Sequence, residues 1–257
     1  MEMKTNVAID TKKCIGCGLC IADCQRRDLV IQNSKSVPLN KNCFLCGHCL
    51  AICPENAITI HGFDDEIEQL PKDRAFLDSK SILTHLKSHR SVRNYLDKPV
   101  EKEKLEKIIE AGRLTPTGSN SQNVRYIVIQ NGIDKIVDAV LAQYKNPVGF
   151  TVPSTFSPER FKRGFLFFNA PAIVLVISSN DTNACLAGRS MELMAEALGL
   201  GTVYVGLFTR PANLNKELRA SLGVAEGENI AICLALGYSA VKYLRSVPRK
   251  KANVVWR

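Results

Sequence analysis

The sequence predicts an α+β protein in two parts: a small cysteine-dense module at the front, and a larger domain in which helices and strands follow no regular alternation. Three observations carry this. Eight of the ten cysteines lie between residues 14 and 53 of a 257-residue chain. A charged stretch, HGFDDEIEQLPKDRAFLDSK at 61–80, interrupts the pattern and contains Pro71. Beyond it, apolar residues recur at helical spacing in some segments and in short continuous runs in others, which favours α+β over a βαβ array. The expected boundaries are 1–60, a linker at 61–80 and 81–257.

The front module comes first. Cys14, Cys17, Cys20 and Cys24 are spaced C-x2-C-x2-C-x3-C, and Cys43, Cys46, Cys49 and Cys53 repeat that spacing eighteen residues later. A zinc site pairs cysteines across a long loop so that one ion sees a tetrahedron. Three cysteines at successive x2 spacing instead wrap three corners of an iron–sulfur cube, and the fourth reaches the neighbouring cube. Spacing therefore assigns Cys14, Cys17, Cys20 and Cys53 to one [4Fe-4S] cluster, and Cys43, Cys46, Cys49 and Cys24 to the other. Gly16, Gly18 and Gly47 are expected to let backbone N–H groups approach the sulfurs. Pro54 follows Cys53 as in the bacterial motif, whereas Gln25 stands where proline is usual after Cys24. Residues 1–60 thus resemble a bacterial two-cluster ferredoxin. With no cysteine missing from either block there is no open iron for bond chemistry, so the module implies an electron acceptor further along the chain. His48, inside the second block, is expected to be exposed or supporting rather than a ligand.

A disulfide scaffold fits poorly, because two hundred residues follow the blocks with only Cys185 and Cys233 in them. Both sit in apolar surroundings and are expected to be core packing. The start has no apolar signal region and no run approaches membrane-spanning length, so a cytoplasmic protein without a membrane partner is expected. The formal charge is +9. Two ligated clusters would lower it by roughly four units. Basic residues are dispersed, which disfavours nucleic-acid binding.

The second part reads element by element. Ser81–His89 is helical, and Glu101–Arg113 is amphipathic, with Leu105, Ile108, Ile109 and Leu114 near one face. Val124–Gln130 is a strand. Asp134–Tyr144 is a helix with Ile136, Val137, Val140 and Leu141 inward. PAIVLVIS at 171–178 is too continuous for a half-exposed strand. Asp181 is placed to cap a helix reaching Leu198, rich in small residues that imply close neighbours. Thr202–Phe208 and Ile230–Gly237 are strands, and Asn213–Leu222 is a short helix.

Four polar stretches punctuate these elements: SHRSVRNY at 88–95, TPTGSNSQN at 115–123, LGLGTVYVG at 198–206 and VPRKK at 247–251. In this order they resemble the FMN-dependent nitroreductase family over residues 80–257. The resemblance implies FMN held by His89, Arg90, Ser91 and Arg93 at its ribityl and phosphate, and by Arg249 and Lys251 at the phosphate. It puts Thr117, Ser119, Asn120 and Gln122 at the ring, and backbone N–H groups of Gly206 and Leu207 at the N5 edge. A phosphate wants guanidinium and ammonium donors, and ring carbonyls want N–H donors. Asn123 replaces a common proline, and 146–169, including Arg160, Lys162 and Arg163, matches poorly.

The G-x-G of GLGT leaves a helix and enters a strand, the reverse of a dinucleotide loop, so a built-in NAD domain is not expected. Ser91 and His89 lack a third orienting group for a hydrolase triad. The expectation is an oxidoreductase taking electrons from an external low-potential donor such as ferredoxin, through two clusters to FMN, and on to a nitroaromatic, quinone or activated alkene. No side chain stands out as a catalytic acid or base. The resemblance implies a homodimer. Two other readings stand beside it: a relay to a protein partner, and an NAD(P)H-fed nitroreductase whose clusters are structural or sensing.

Overall fold

The computed structural model describes residues 6–71, 77–145, 147, 149, 151–152 and 164–257. It falls into two compact units: the described residues up to 71 together with Gly118–Ser121, and the described remainder from residue 77 onward. The loop stretch 118–121 therefore groups with the first unit although it lies far along the chain.

The first unit has two short antiparallel strand pairs, one a hairpin and the other joining strands from its two ends, and two one-turn helices. β1 (Val7–Ile9) pairs antiparallel with β4 (Ile58–Ile60), and β2 (Leu29–Gln32) with β3 (Lys35–Pro38). Between them stand α1 (Leu19–Ala22) and α2 (His48–Ile52), each opened by a glycine in the left-handed region, Gly18 at φ 77° and Gly47 at φ 76°. Such a backbone suits glycine because it has no Cβ. The internal duplication visible in the cysteine spacing is thus repeated in the backbone. Its apolar core is small, with Val7, Cys20, Leu29 and Ile58 buried.

The second unit is an antiparallel sheet covered by helices on both faces. Its strand order is β5 (Val124–Ile129), β6 (Ala172–Ser178), β8 (Asn229–Gly237) and β7 (Gly201–Tyr204). All seven residues of β6 are buried, as its unbroken apolar run requires. Alternation then assigns the faces. Ile173, Leu175 and Ile177 meet Val137, Val140 and Phe208 from α5 (Ile133–Lys145) and α7 (Gly206–Leu214). Val174 and Val176 meet Leu105, Ile108, Ala187 and Met191 from α4 (Lys102–Arg113) and α6 (Asp181–Ala197). The remaining helices are α3 (Ser79–Ser88) and α8 (Lys216–Ser221).

Several expectations are corrected. The strand expected to run to Phe208 stops at Tyr204, and Gly206 opens α7, which tolerates Pro211 in its interior. The apolar run continues, but its inward face there is a helical one. The helix expected from Asn213 instead begins at Lys216, capped by the Asn215 side chain. Asn180, not Asp181, caps α6, its side chain accepting from Thr182 N at 3.0 Å and Asn183 N at 3.3 Å. Leu114 follows the last turn of α4 and is exposed. Cys233 is buried, but Cys185 is exposed on the outer side of α6. The small residues of α6 do admit close neighbours: Gly188 packs against Ile232 and Tyr204. Among the described residues no helix is long and apolar enough to cross a membrane.

Candidate functional site

Within the first unit the eight clustered cysteines separate into two sets. One cavity, about 360 Å³ and open to solvent, is lined by Cys14, Cys17, Cys20 and Cys53. A second, about 490 Å³, is lined by Cys24, Cys43, Cys46 and Cys49. In each set three cysteines come from one block and the fourth from the other. Among the described residues no three His, Cys, Asp or Glu side chains converge as a single ion would require. Eight sulfurs spread around two cavities are a donor set for cubes, since a four-iron cluster takes its thiolates at separate corners.

Backbone N–H groups point at several of the sulfurs. Ser36 N lies 3.5 Å from Cys14 Sγ and Ala57 N 3.4 Å from Cys53 Sγ. Around the other cavity, Asp28 N is 3.4 Å from Cys24 Sγ and Leu45 N 3.3 Å from Cys43 Sγ. Gly16, Gly18 and Gly47, expected to let the backbone come close, all have positive φ, at 70°, 77° and 76°. Leu45, the second block's counterpart of Gly16, adopts φ 55° and uses that strained backbone to aim its N–H at Cys43. Burial pushes the Cys49 thiol up to about 11. His48 is exposed and pairs with Asp23 at 3.0 Å. Arg26 stacks on Phe44 at 4.5 Å, and its Nε donates to Asn42 O.

In the second unit the SHRSVRNY stretch leaves α3 and runs along the sheet edge. Val92 N donates to Thr202 O at 2.8 Å, and Leu96 N to Tyr238 O at 2.8 Å. This close approach depends on Gly201, where a Cβ would fall 2.8 Å from Val92 Cβ. The stretch thereby holds its polar side chains beside β7. His89 presents both ring nitrogens to carboxylates, Nε2 to Glu192 at 3.0 Å and Nδ1 to Glu196. Glu192 is buried and also meets Arg189 and the Tyr204 hydroxyl. His85 joins Glu196 from the other side. This cluster was not foreseen; the signal for it was Arg189, Glu192 and Glu196 at helical spacing on an otherwise small-residue helix.

Arg90 is held differently. Its Nη1 donates to His89 O, but its Nη2 is buried with no hydrogen-bond partner among the described residues. A buried, unpaired guanidinium nitrogen asks for an anion. Ser91 is partly buried and its carbonyl accepts from the Tyr243 hydroxyl at 3.3 Å, while Arg93 is exposed and lies 6.0 Å above the Phe168 ring. Gly206 and Leu207 begin α7, where no side chain caps the helix, and the leading N–H groups of a helix point away from its own carbonyls.

The TPTGSNSQN loop is strained. Ser119, Asn120 and Gln122 all have positive φ, 54°, 52° and 46°. Non-glycine residues held this way concentrate at functional sites. Thr117 Oγ1 accepts from Gln122 N at 3.0 Å. Within the first unit, Asn120 Nδ2 donates to the carbonyls of Phe44 at 3.2 Å and Leu45 at 2.9 Å. Asn123 is built into its surroundings, donating to Ser179 Oγ at 2.9 Å and accepting from Asn183 at 2.8 Å. Arg249 and Lys251 are exposed in the irregular stretch after Ser239 and make no ion pair among the described residues. Arg160, Lys162 and Arg163 lie outside the described residues.

Comparison with known proteins fits this geometry. Residues 6–54 match the family described as 4Fe-4S dicluster domain, and residues 86–238 the one described as Nitroreductase family. An Archaeoglobus fulgidus protein provisionally named an NADH dehydrogenase/NAD(P)H nitroreductase is 27% identical over 171 residues, covering 62% of this chain and 86% of its own. A Bacillus subtilis NAD(P)H-dependent FMN reductase is 32% identical over 133 residues, and the match spans 49% of this chain and about half (53%) of that protein. A solved Bacteroides fragilis nitroreductase with bound FMN shares the fold at a TM-score of 0.58 and 22% identity, over 68% of this chain and 98% of its own. With a family match across more than half its length, a second match over its cysteine blocks and a shared fold, the chain belongs to the nitroreductase family and carries a 4Fe-4S dicluster domain ahead of the family's fold.

Proposed function

We propose that the protein takes electrons from an external low-potential donor through two [4Fe-4S] clusters to FMN, and reduces an electron-poor small molecule such as a nitroaromatic, quinone or activated alkene. The observation that carries this reading is the interleaved grouping of the eight cysteines in a chain that also has the nitroreductase fold. When bound, the clusters supply one-electron transfer, and FMN supplies storage of two electrons and delivery of hydride.

The chain's own residues do the placing. Cys14, Cys17, Cys20 and Cys53 would hold one cluster, and Cys43, Cys46, Cys49 and Cys24 the other. Arg90 offers its unpaired nitrogen to the FMN phosphate, with Arg249 and Lys251 as further cations. Ser91 and Arg93 flank Arg90. The N–H groups of Gly206 and Leu207 would face the ring edge, and the strained loop from Thr117 to Gln122 would approach the ring. His89, with both ring nitrogens bound to carboxylates, supports the stretch carrying Arg90 more than it offers a free donor. No side chain is assigned as catalytic acid or base. A homodimer is part of this reading. It is supported by apolar side chains exposed on the second unit, including Leu83 and Leu86 on α3 and Val255 and Trp256 beyond the sheet. We place the protein in the cytoplasm.

A second reading has its own support. The Archaeoglobus and Bacillus relatives described above carry NAD(P)H in their names, which favours direct feeding by NAD(P)H with the clusters structural or sensing. Rapid mixing separates the two. On the proposed reading reduced ferredoxin bleaches the flavin within turnover time, Cys17→Ala abolishes that bleaching, and FMN stays bound. Fast turnover on NADPH alone, unchanged by Cys17→Ala, would replace the proposal with the second reading. Flavin reduction by ferredoxin with no small acceptor ever turned over would point to a relay to a protein.

A further inference from the structure

The two cysteine cavities are not equivalent, and the difference sits on one residue. Ser36 lies in the β2–β3 hairpin and is 2% exposed. Its backbone N–H points at Cys14 Sγ from 3.5 Å, and its hydroxyl is hydrogen-bonded to Cys20 Sγ at 3.3 Å. A ligating thiolate can only accept, so in a loaded site the Ser36 hydroxyl becomes the donor. Its neighbour Lys35 adds a donor to the Cys14 carbonyl. Adding the Ala57 N–H to Cys53, the first cavity has three hydrogen bonds to its sulfurs: two from Ser36, one from Ala57.

Among the described residues the second cavity also has three, but all come from backbone N–H groups: Asp28 to Cys24, Leu45 to Cys43 and Leu50 to Cys49. Among the described residues no side-chain hydroxyl lines it. Where Ser36 faces the first cavity, the second is lined by Val7, Leu29, Pro38 and Ile60 together with Gln25, Arg26 and His48, of which Arg26 is engaged by Phe44 and the Asn42 carbonyl and His48 by Asp23. The Asp28 carboxyl, also in that wall and 5% exposed, faces away to the N–H groups of Lys41 and Asn42 at 3.0 and 3.1 Å.

Hydrogen bonds to ligand sulfur draw electron density from the cluster and favour its reduced form, and burial strengthens the effect. We propose that Ser36 is a positioning residue that makes the cluster held by Cys14, Cys17, Cys20 and Cys53 the higher-potential of the two. The chain thereby has a built-in order: the first electron to arrive rests in that cluster, and the cluster held with Cys24 is reduced second. This rests on the reading that both cavities hold clusters.

The test uses the full-length protein, purified without oxygen, in a potentiometric titration followed by electron paramagnetic resonance. Wild type is expected to show two one-electron couples. Ser36→Ala should lower the upper couple by about 59 mV, a tenfold fall in its reduction equilibrium, and leave the lower couple in place. Ser36→Thr, which keeps the hydroxyl, should retain the wild-type split, and Ser36→Val, of the same shape without it, should behave like Ser36→Ala. If the small variant loses iron, the Thr and Val pair still decides the matter. Unchanged couples in both hydroxyl-free variants, or equal shifts in both couples, would overturn the proposal. Iron and sulfide analysis guards the premise: about eight of each per chain mean two cubes, and a wild-type shortfall removes the cluster reading itself rather than the role of Ser36.

Discussion

At the scale of single residues, Arg90 shows how a site is built before its ligand arrives. One guanidinium nitrogen is spent on the His89 carbonyl, which fixes the side chain, and another is left buried without a hydrogen-bond partner among the described residues. A charge-assisted bond to phosphate is worth about 1.5–3 kcal/mol, so Arg90→Ala should weaken FMN roughly ten- to hundredfold in a fluorescence titration. Arg90→Lys should restore little, because an ammonium cannot reproduce the planar fork. Arg90 was legible in the sequence as a candidate, but its distinction from His89 was not. That depended on Glu192 and Glu196, about a hundred positions downstream, whose partners no local pattern reveals. Cys185 teaches the same lesson from the other side: its apolar neighbours along the chain made it look buried, while the helix turns it outward.

Among elements, those with a long and strict period were readable and those ended by their context were not. The apolar run of β6 and the amphipathic pattern of α4 left few alternatives, and both stand where their patterns put them. β7 ends earlier than its apolar run because Gly206 starts a helix whose inward side chains, Leu207 and Phe208, continue that run. A strand and the first turn of a buried helix differ little in composition over so few residues. The cap of α6 is a second case. Asn180 and Asp181 are both suited to the position, and only the extended backbone at Asn180 selects it. Asn180→Ala should therefore cost about 1 kcal/mol, lowering the melting temperature by roughly 2–4 °C. Asp181→Ala should cost about half as much, through the helix dipole alone. Equal losses would return the cap to Asp181.

For the whole molecule, the two units rest on different kinds of cohesion. The second buries a continuous core on both faces of its sheet. The first buries few side chains and surrounds its cavities with thiols. In small domains of this kind metal binding supplies much of the folding free energy. Removing iron with a chelator under reducing conditions should then abolish the first of two calorimetric transitions, while the second transition and the flavin absorbance survive. A single transition that disappears entirely on chelation would mean that the units do not fold separately. This division was the most legible feature of the sequence, since cysteine density changes abruptly along the chain. What spacing could not convey was the inequality of the two cavities, which comes from the hairpin seating Ser36.

In each cysteine block the second thiol, Cys17 or Cys46, is the one left open to solvent. A cube seated there would have one vertex more open to dissolved dioxygen than the others. Air damage should accordingly start at those two vertices, and the protein's lifetime on the bench would be set by that pair of unguarded corners.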